Sequence, residues 1–335
     1  MAVYELADRL VIGIASSALF DLTESDAVFR EQGEESYRAY QEEHLDETLR
    51  PGVAFPFIRR LLSLNDLGKE GDPLVEVIVL SRNDPDTGLR VMRSIQAHGL
   101  SISRAVFMQG RSPHKFMPAL NMSLFLSANE RDVREAVLAG LPAGHVLGAP
   151  HEDDTEDRDL RISFDFDGVL ATDASEQVYQ TGGMEEFRTH EVTNAAVPHD
   201  AGPLKEFLAN INRIQRREET ERQMNADYRI RLHVSLVTAR AAPAHERAVM
   251  SLKRWGVTVN DAFFLGGINK GEIMKVLKPH IFFDDQQGHL ASTSQTTPSV
   301  HVPFGKLNEQ AGSEHQPESP AMARQQDSPS ALRGE

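Results

Sequence analysis

Asp165 and Asp167, in the run Asp165-Phe166-Asp167-Gly168-Val169-Leu170, are the residues of this chain whose type and spacing best suit chemistry. On an extended segment, alternate positions point two carboxylates the same way. Further along stand Thr238, Lys270 and the pair Asp284-Asp285. The set comprises a carboxylate nucleophile, a second acid to move protons, oxygen ligands for a hard cation, and a hydroxyl and an ammonium for phosphate oxygens. Metal-assisted phosphoryl transfer needs these groups. Each also has a plainer reading. Asp165 and Asp167 with Glu176 at the twelfth position mimic part of an EF-hand, but Val169 stands where a fifth-position oxygen is needed and Leu170 where glycine is required. Thr238 alone could cap a turn, Lys270 could be a solvated helix lysine, and Asp284-Asp285 could close a strand. The histidines, including His114, His280 and His289, show no metal-ligand spacing and read as surface or packing residues.

The elements around these residues explain how they could meet. Leu160 to Phe166 is an apolar run of strand length, and Arg231 to Val237, Ala262 to Leu265 and His280 to Phe283 are further strands, the last closing the fold. Between them, Pro203 opens a helix with Leu204, Phe207, Leu208, Ile211 and Ile214 at helical spacing, and Pro243 to Trp255 is a helix closed by Gly256. Asn269 and Glu272 form a capping box that puts Lys270 in the first turn of a helix. Strands alternating with helices imply a parallel sheet covered on both faces, with ligands at the carboxyl ends of the strands. Asp165, Asp167, Thr238, Lys270, Asp284 and Asp285 all fall at such ends.

The chain also aligns with itself. A shift of 150 pairs Leu10 with Leu160, Gly33 with Gly183, Gly52 with Gly202 and Phe57 with Phe207; a shift of 157 then pairs Arg90 with Arg247, Gly99 with Gly256, Phe107 with Phe264 and Phe125 with Phe282. Seven extra residues within 215–230 account for the change. Two long constant offsets in chain order mark a duplicated domain. In the first copy Ala15 stands for Asp165, Ser17 for Asp167, Ser81 for Thr238, Pro113 for Lys270, Ser127 for Asp284 and Ala128 for Asp285. Residues that serve folding persist, while those that could serve chemistry are gone. Ser112-Pro113 is expected to begin the helix corresponding to that of Lys270. Arg111 with Pro113 to Lys115 reads either as an anion site for a regulatory nucleotide or as a cap with surface charge.

Composition sets the outer limits. The chain has 335 residues, no cysteine and a formal charge of −15. Disulfides and thiolate metal sites are excluded, and nucleic acid is disfavoured as a partner because its backbone calls for surplus Lys and Arg. No apolar run approaches the roughly 18 residues of a membrane span, and the N-terminus lacks a leader pattern, so a cytoplasmic protein without membrane association is expected. The run His151 to Asp159 reads as a solvated acidic linker over 148–159, and 306–335 is too poor in large apolar residues to order itself. The expected organisation is a first half at 1–147 and a catalytic half at 160–305.

In their order and context the DFDGVL run, Thr238, Lys270 and the terminal Asp284-Asp285 resemble the four motifs of the haloacid dehalogenase superfamily. More narrowly, the phrases ALFDL near the start, LVTAR at 236–240, Gly267 to Lys270, PHIFFDDQ at 279–286 and HVPFG at 301–305 resemble the cytosolic 5'-nucleotidase type I family, from about residue 8 to 305. The first motif departs from the FDGDAVL arrangement of animal members, with both aspartates kept.

The resemblance implies duplicated Rossmann-like α/β domains, the first catalytically dead, with a helical cap at about 174–230. It also implies magnesium-dependent hydrolysis of nucleoside 5'-monophosphates. Asp165 would become the aspartyl-phosphate, Asp167 would act as acid and base, and Thr238 and Lys270 would hold phosphate. The metal would be bound by Asp165, the Asp167 carbonyl and the pair Asp284 and Asp285, with the direct ligand of that pair left open. Two alternatives stay open: a phosphatase of the same superfamily for another small phosphoester, and a nucleotide-binding regulator without turnover. A homo-oligomer also stays open.

Overall fold

The computed structural model describes residues 4–69, 71–148, 153–306 and 308. In chain order the first half comprises β1 (Leu10–Ile14), α1 (Ser16–Leu19), α2 (Thr23–Glu43), α3 (Phe55–Ser63), β2 (Val75–Ser81), α4 (Pro85–Ala97), β3 (Arg104–Phe107), β4 (Leu124–Ser127), α5 (Glu130–Leu138) and β5 (Ala143–Leu147). The second comprises β6 (Leu160–Phe164), α6 (Ala174–Thr193), α7 (Lys205–Met224), β7 (Leu232–Thr238), α8 (His245–Trp255), β8 (Asp261–Phe264), α9 (Lys270–Leu277), β9 (Ile281–Asp284), α10 (Gln287–Thr293) and β10 (Ser299–His301). Among the described residues the strands form one ten-stranded sheet in the order β3-β2-β1-β4-β5-β10-β9-β6-β7-β8. All neighbours run parallel except β5 and β10, which pair antiparallel at the centre. Read outward from that seam, the two flanks have the same order.

The expected strands appear within a residue or two of their predicted bounds, but His280 to Phe283 is not the last. β10 follows it and joins the halves into a single sheet through Val300 opposite Val146. Its three residues are too few to show a period in the sequence.

Alternation along the central strands divides the core. Leu10, Ile12 and Ile14 of β1 and Leu160, Ile162 and Phe164 of β6 share one cluster with residues of α3, α4, α7 and α8, and this cluster runs through both halves. On the opposite face, Val11 and Ala15 pack with Val133 of α5, while Val237 and Phe282 pack separately with Met274 of α9 and Leu290 of α10. Burying side chains on both faces is what makes these strands continuously apolar.

Two expectations change here. α7, inside the segment expected to form a cap, buries Phe207, Leu208 and Ile211 in the shared core and reaches the first half, where Arg213 donates to the Asp8 carbonyl at 2.8 Å. That part of 174–230 lies in the sheet's covering layer, and α6 alone remains as a helix following the β6 end. The Ser112 cap also does not form: a 3-10 turn over His114–Phe116 starts after Pro113, and the Ser112 hydroxyl bonds His114 Nδ1 at 2.9 Å instead.

Of the linker, residues 149–152 lie outside the described residues, as do 307 and 309–335 of the expected tail. The described end of the linker is not free in solvent. Asp153 bridges Arg59 at 2.5 Å and Arg60 at 2.6 Å, tying the junction to α3. α2 and α6 bend at aligned glycines: Gly33 has φ 85° and ψ −176°, Gly183 φ 73° and ψ −170°. This backbone region is accessible almost only to glycine.

Candidate active site

β6 ends at Phe164 and the chain turns at once, so Asp165 and Asp167 do not share an extended segment. They diverge to different cations. Asp165 is buried. Its amide donates to the Phe283 carbonyl of β9 at 2.8 Å, and its Oδ2 lies 2.7 Å from Lys270 Nζ. Lys270 is the first residue of α9, capped by Asn269, whose side chain accepts from the Gly271 amide. The reciprocal half of the expected capping box is not made, because Glu272 takes Lys275 at 2.6 Å. The Lys270 ammonium also donates to Asp284 Oδ2 at 2.7 Å. Asp284 closes β9, and its Oδ1 accepts from the Gln286 amide at 2.8 Å.

Asp285 packs beneath the loop after Asp165. A Cβ on Gly168 would lie 2.3 Å from Asp285 Oδ2, and Gly168 has φ +72°, so space and backbone both require glycine. Thr238, the last residue of β7, is buried and its hydroxyl oxygen accepts from the Arg240 amide at 3.2 Å.

Asp167 is gripped by Arg240: Nε donates to Oδ2 at 2.7 Å and Nη2 to Oδ1 at 2.6 Å. The remaining face of that guanidinium bonds Glu191 of α6, whose side chain is 0% exposed. Glu191 also receives Arg247 Nη1 at 2.9 Å and the Ser175 hydroxyl at 2.7 Å. Arg240 further lies 5.0 Å from the Phe166 ring centre and 5.5 Å from that of Phe187. None of Arg240, Glu191 or Arg247 was singled out for chemistry above. The signal available was the offset of 157 that aligns Arg247 with Arg90, which bonds Gln41, the counterpart of Glu191, at 3.2 Å.

The charge balance is uneven. Burial, with Asp284 adding to it, pushes the Asp165 carboxyl up to about 6 against the pull of Lys270. Burial and the neighbouring Asp165 and Asp284 push Asp285 well above the usual carboxylate range. Asp284 goes the other way, since Lys270 and His289 overcome its burial and hold it below that range. Lys270 is held up by the same two acids although burial opposes its charge.

Three buried acids thus share one lysine, and Asp285 Oδ1 has no hydrogen-bond partner among the described residues. Asp165, Asp284 and His289 bring donor atoms within 4.8 Å of one another. An additional cation would relieve this surplus, and carboxylate oxygens suit a hard divalent one. The group adds to the expected ligand set His289, whose Nδ1 is 3.2 Å from Asp284 Oδ2. The Asp167 carboxylate stays on Arg240, which leaves its backbone carbonyl as the ligand the resemblance implies. In the first half the aligned positions carry no such charge: Ala15 and Ser17 stand for the two acids, and Ser81, which stands for Thr238, bonds the hydroxyl of Ser16, the counterpart of Phe166, at 3.0 Å. Arg111 Nε is turned to the Met108 carbonyl at 3.2 Å.

A sequence model described as 5'-nucleotidase matches residues 2–309. Human cytosolic 5'-nucleotidase 1B is 30% identical over 304 residues, covering 89% of this chain and 49% of that protein, so the chain spans about half the length of this curated relative. No solved structure matches the chain. Among the described residues no helix is long and apolar enough to cross a membrane.

Proposed function

Because the chain belongs to the 5'-nucleotidase family, we propose that it hydrolyses nucleoside 5'-monophosphates to nucleoside and phosphate at the site built on Asp165. The observation that carries this is the buried group of Asp165, Lys270 and Asp284 at the carboxyl ends of β6 and β9, where an anionic phosphate would find a carboxylate nucleophile beside a lysine. Asp165 Oδ attacks phosphorus, the bond to the ribose oxygen breaks, and Asp167 delivers the proton that oxygen needs. Asp167 then takes a proton from water as the water attacks the aspartyl-phosphate and frees Asp165 and inorganic phosphate. Both Asp167 oxygens sit on Arg240, so one must exchange that contact for the leaving oxygen. Thr238 and Lys270 hold the remaining phosphate oxygens.

Magnesium fits the oxygen donors of Asp165, Asp284 and Asp285 and, when bound, would neutralise phosphate charge. We read the halves as duplicated haloacid-dehalogenase-like domains of which only the second is catalytic. In support, β1 and β6 begin flanks of the same strand order, and Leu49 and His199 amides bond aligned serines, Ser94 at 3.0 Å and Ser251 at 2.9 Å. α6 serves as the cap. Its Tyr179 and Phe187, edge to face at 6.2 Å, offer aromatic surface for a nucleobase beside Arg240.

The test is phosphate release from a panel of nucleoside monophosphates and sugar phosphates, with magnesium and after chelation. Nucleotides should be preferred and chelation should stop release. Equal rates on sugar phosphates, or undiminished release after chelation, would overturn the reading.

A further inference from the structure

A cavity of about 1500 Å³ opens in the first half at the carboxyl ends of β1, β2 and β4, lined there by Ala15, Ser81 and Ala128. These positions align with Asp165, Thr238 and Asp285, so the cavity occupies in this half the place that the candidate active site occupies in the other. We propose that this cavity is a second binding site, that its ligand is an uncharged nucleoside, and that it binds without reacting.

Three observations converge. The first is aromatic. Phe29 of α2 is 50% exposed and lines the cavity with Tyr37, the two rings meeting edge to face at 5.6 Å and 85°. Tyr179 and Phe187, the aligned residues of α6, form the same pair at 6.2 Å and 82°. One exposed aromatic ring is ordinary. The same pair at the same register of two helices, over the same strand ends, is a stacking surface that persisted while the acids aligned with Asp165, Asp167, Asp284 and Asp285 were lost. A planar heterocycle is the chemistry such a surface takes.

The second observation is charge. The lining carries six carboxylates, Asp26 and Asp84 among them, against three guanidinium groups. Arg82 and Arg131 are already engaged, with Asp132 at 2.6 Å and Glu135 at 2.9 Å. Four carboxylates are paired as well, Glu34 and Asp84 with Arg38, Glu130 with Arg134 and Asp132 with Arg82, which leaves Asp21 and Asp26 against Arg30. The lysine position is Pro113, which is not in the lining. A phosphate dianion would meet net repulsion here, whereas an uncharged ligand would not.

The third is hydrogen-bonding capacity without charge. Ser16, Ser17, Ser81, Asn83 and Gln109 all line the cavity and suit sugar hydroxyls and base edges. Asn83 aligns with Arg240 and lies 3.5 Å from the Tyr37 hydroxyl, so the group that grips Asp167 in one half is a neutral amide in the other. The ligand class is that of the dephosphorylated product, which would let the first half respond to product. The inference takes only the choice of ring from the nucleotidase reading.

Titration calorimetry on the full chain with adenosine, guanosine, cytidine and uridine as probes tests it. Nucleosides are not substrates, so a failure of the nucleotidase reading would appear as absent phosphate release and leave this measurement intact. At least one probe should bind with a component that Phe29→Ala weakens about tenfold or more and Tyr179→Ala leaves unchanged. The matching monophosphate should bind that component more weakly than the nucleoside. Phe29 is half exposed, so Phe29→Ala keeps its fold, checked by circular dichroism, and its phosphate release without added nucleoside should stay within about twofold of wild type. Ser17→Tyr, which fills the cavity floor, should remove the same component. Absence of any nucleoside binding sensitive to Phe29 and Ser17, or tighter binding there of the monophosphate, would overturn the proposal.

Discussion

Glu191→Gln tests whether a buried charge hub aims Asp167, the acid of the proposed mechanism. Glu191 is enclosed by the Arg240 and Arg247 guanidinium groups and the Ser175 hydroxyl, with His199 Nε2 3.3 Å away. Burial works against its charge, but His199 and Arg240 hold its carboxyl far below the usual range. The amide keeps the size and one acceptor and removes the charge. Arg240 retains Asp167, and Arg247 retains only the Val197 carbonyl at 2.9 Å. Breaking a buried ion pair by removing one partner costs about 3–5 kcal/mol. The surviving acceptors put this case at the lower end, about 3 kcal/mol. For a chain of this size that is a fall in melting temperature of roughly 6 °C, at about 2 °C per kcal/mol.

The pH dependence has a definite sign. A carboxyl whose folded pKa is depressed adds stability above its unfolded pKa and loses it as pH falls. The gap between wild type and Glu191→Gln should therefore be full at pH 7 and shrink below the ordinary value of 4.5. Since Arg240 also loses its anchor, kcat should fall about tenfold or more with KM little changed. Urea unfolding at pH 7 and pH 4, with steady-state kinetics, provides the readouts. A loss below about 1 kcal/mol with unchanged kcat would refute the reasoning, and would mean that the neutral arrangement of Gln41 and Arg90 in the first half serves equally well.

Three further outcomes are expected. Asp165→Asn should abolish phosphate release while leaving the circular dichroism spectrum intact, because an amide cannot form the acyl phosphate; near-normal turnover would end the mechanism. His280, pushed down from 6.5 to about 3 by burial and by Arg60 and Arg161, is a neutral ring whose Nδ1 accepts from the Arg161 amide at 3.0 Å. Between those values only the unfolded chain binds the proton, so stability should fall with pH by about 1.4 kcal/mol per unit. Denaturant titrations from pH 7 to pH 5 should show that slope reduced in His280→Gln, and identical slopes would contradict the assignment. Residues 155–305 alone should aggregate or lose activity, because the cut strips β10 of its partner β5 and opens the core shared by both halves; a soluble, fully active fragment would show that the seam is dispensable.

The sequence by itself determined where the residues proposed for the chemistry stand, at one edge of the sheet. Asp165, Thr238, Lys270 and Asp284 each end or begin an element, and such elements announce themselves by local periodicity, caps and glycines. The constant offsets added the strand pairs, since β1 and β6 differ by 150 and β2 and β7 by 157. What tertiary structure alone decided depends on contacts between distant parts of the chain. Arg240 reaches back 73 residues to Asp167 and 49 to Glu191, and no local pattern marks a guanidinium as the partner of a particular acid. His289 gives no sign of metal-ligand spacing in the chain and, though only five residues from Asp284, faces it because the chain turns from β9 into α10 between them. The three residues of β10 become a strand only because β5 and β9 supply partners on both sides, and that pairing turns two sequence halves into one sheet. α7 has the amphipathic pattern of any covering helix; the shape of the sheet puts it in the core layer and leaves α6 to the site.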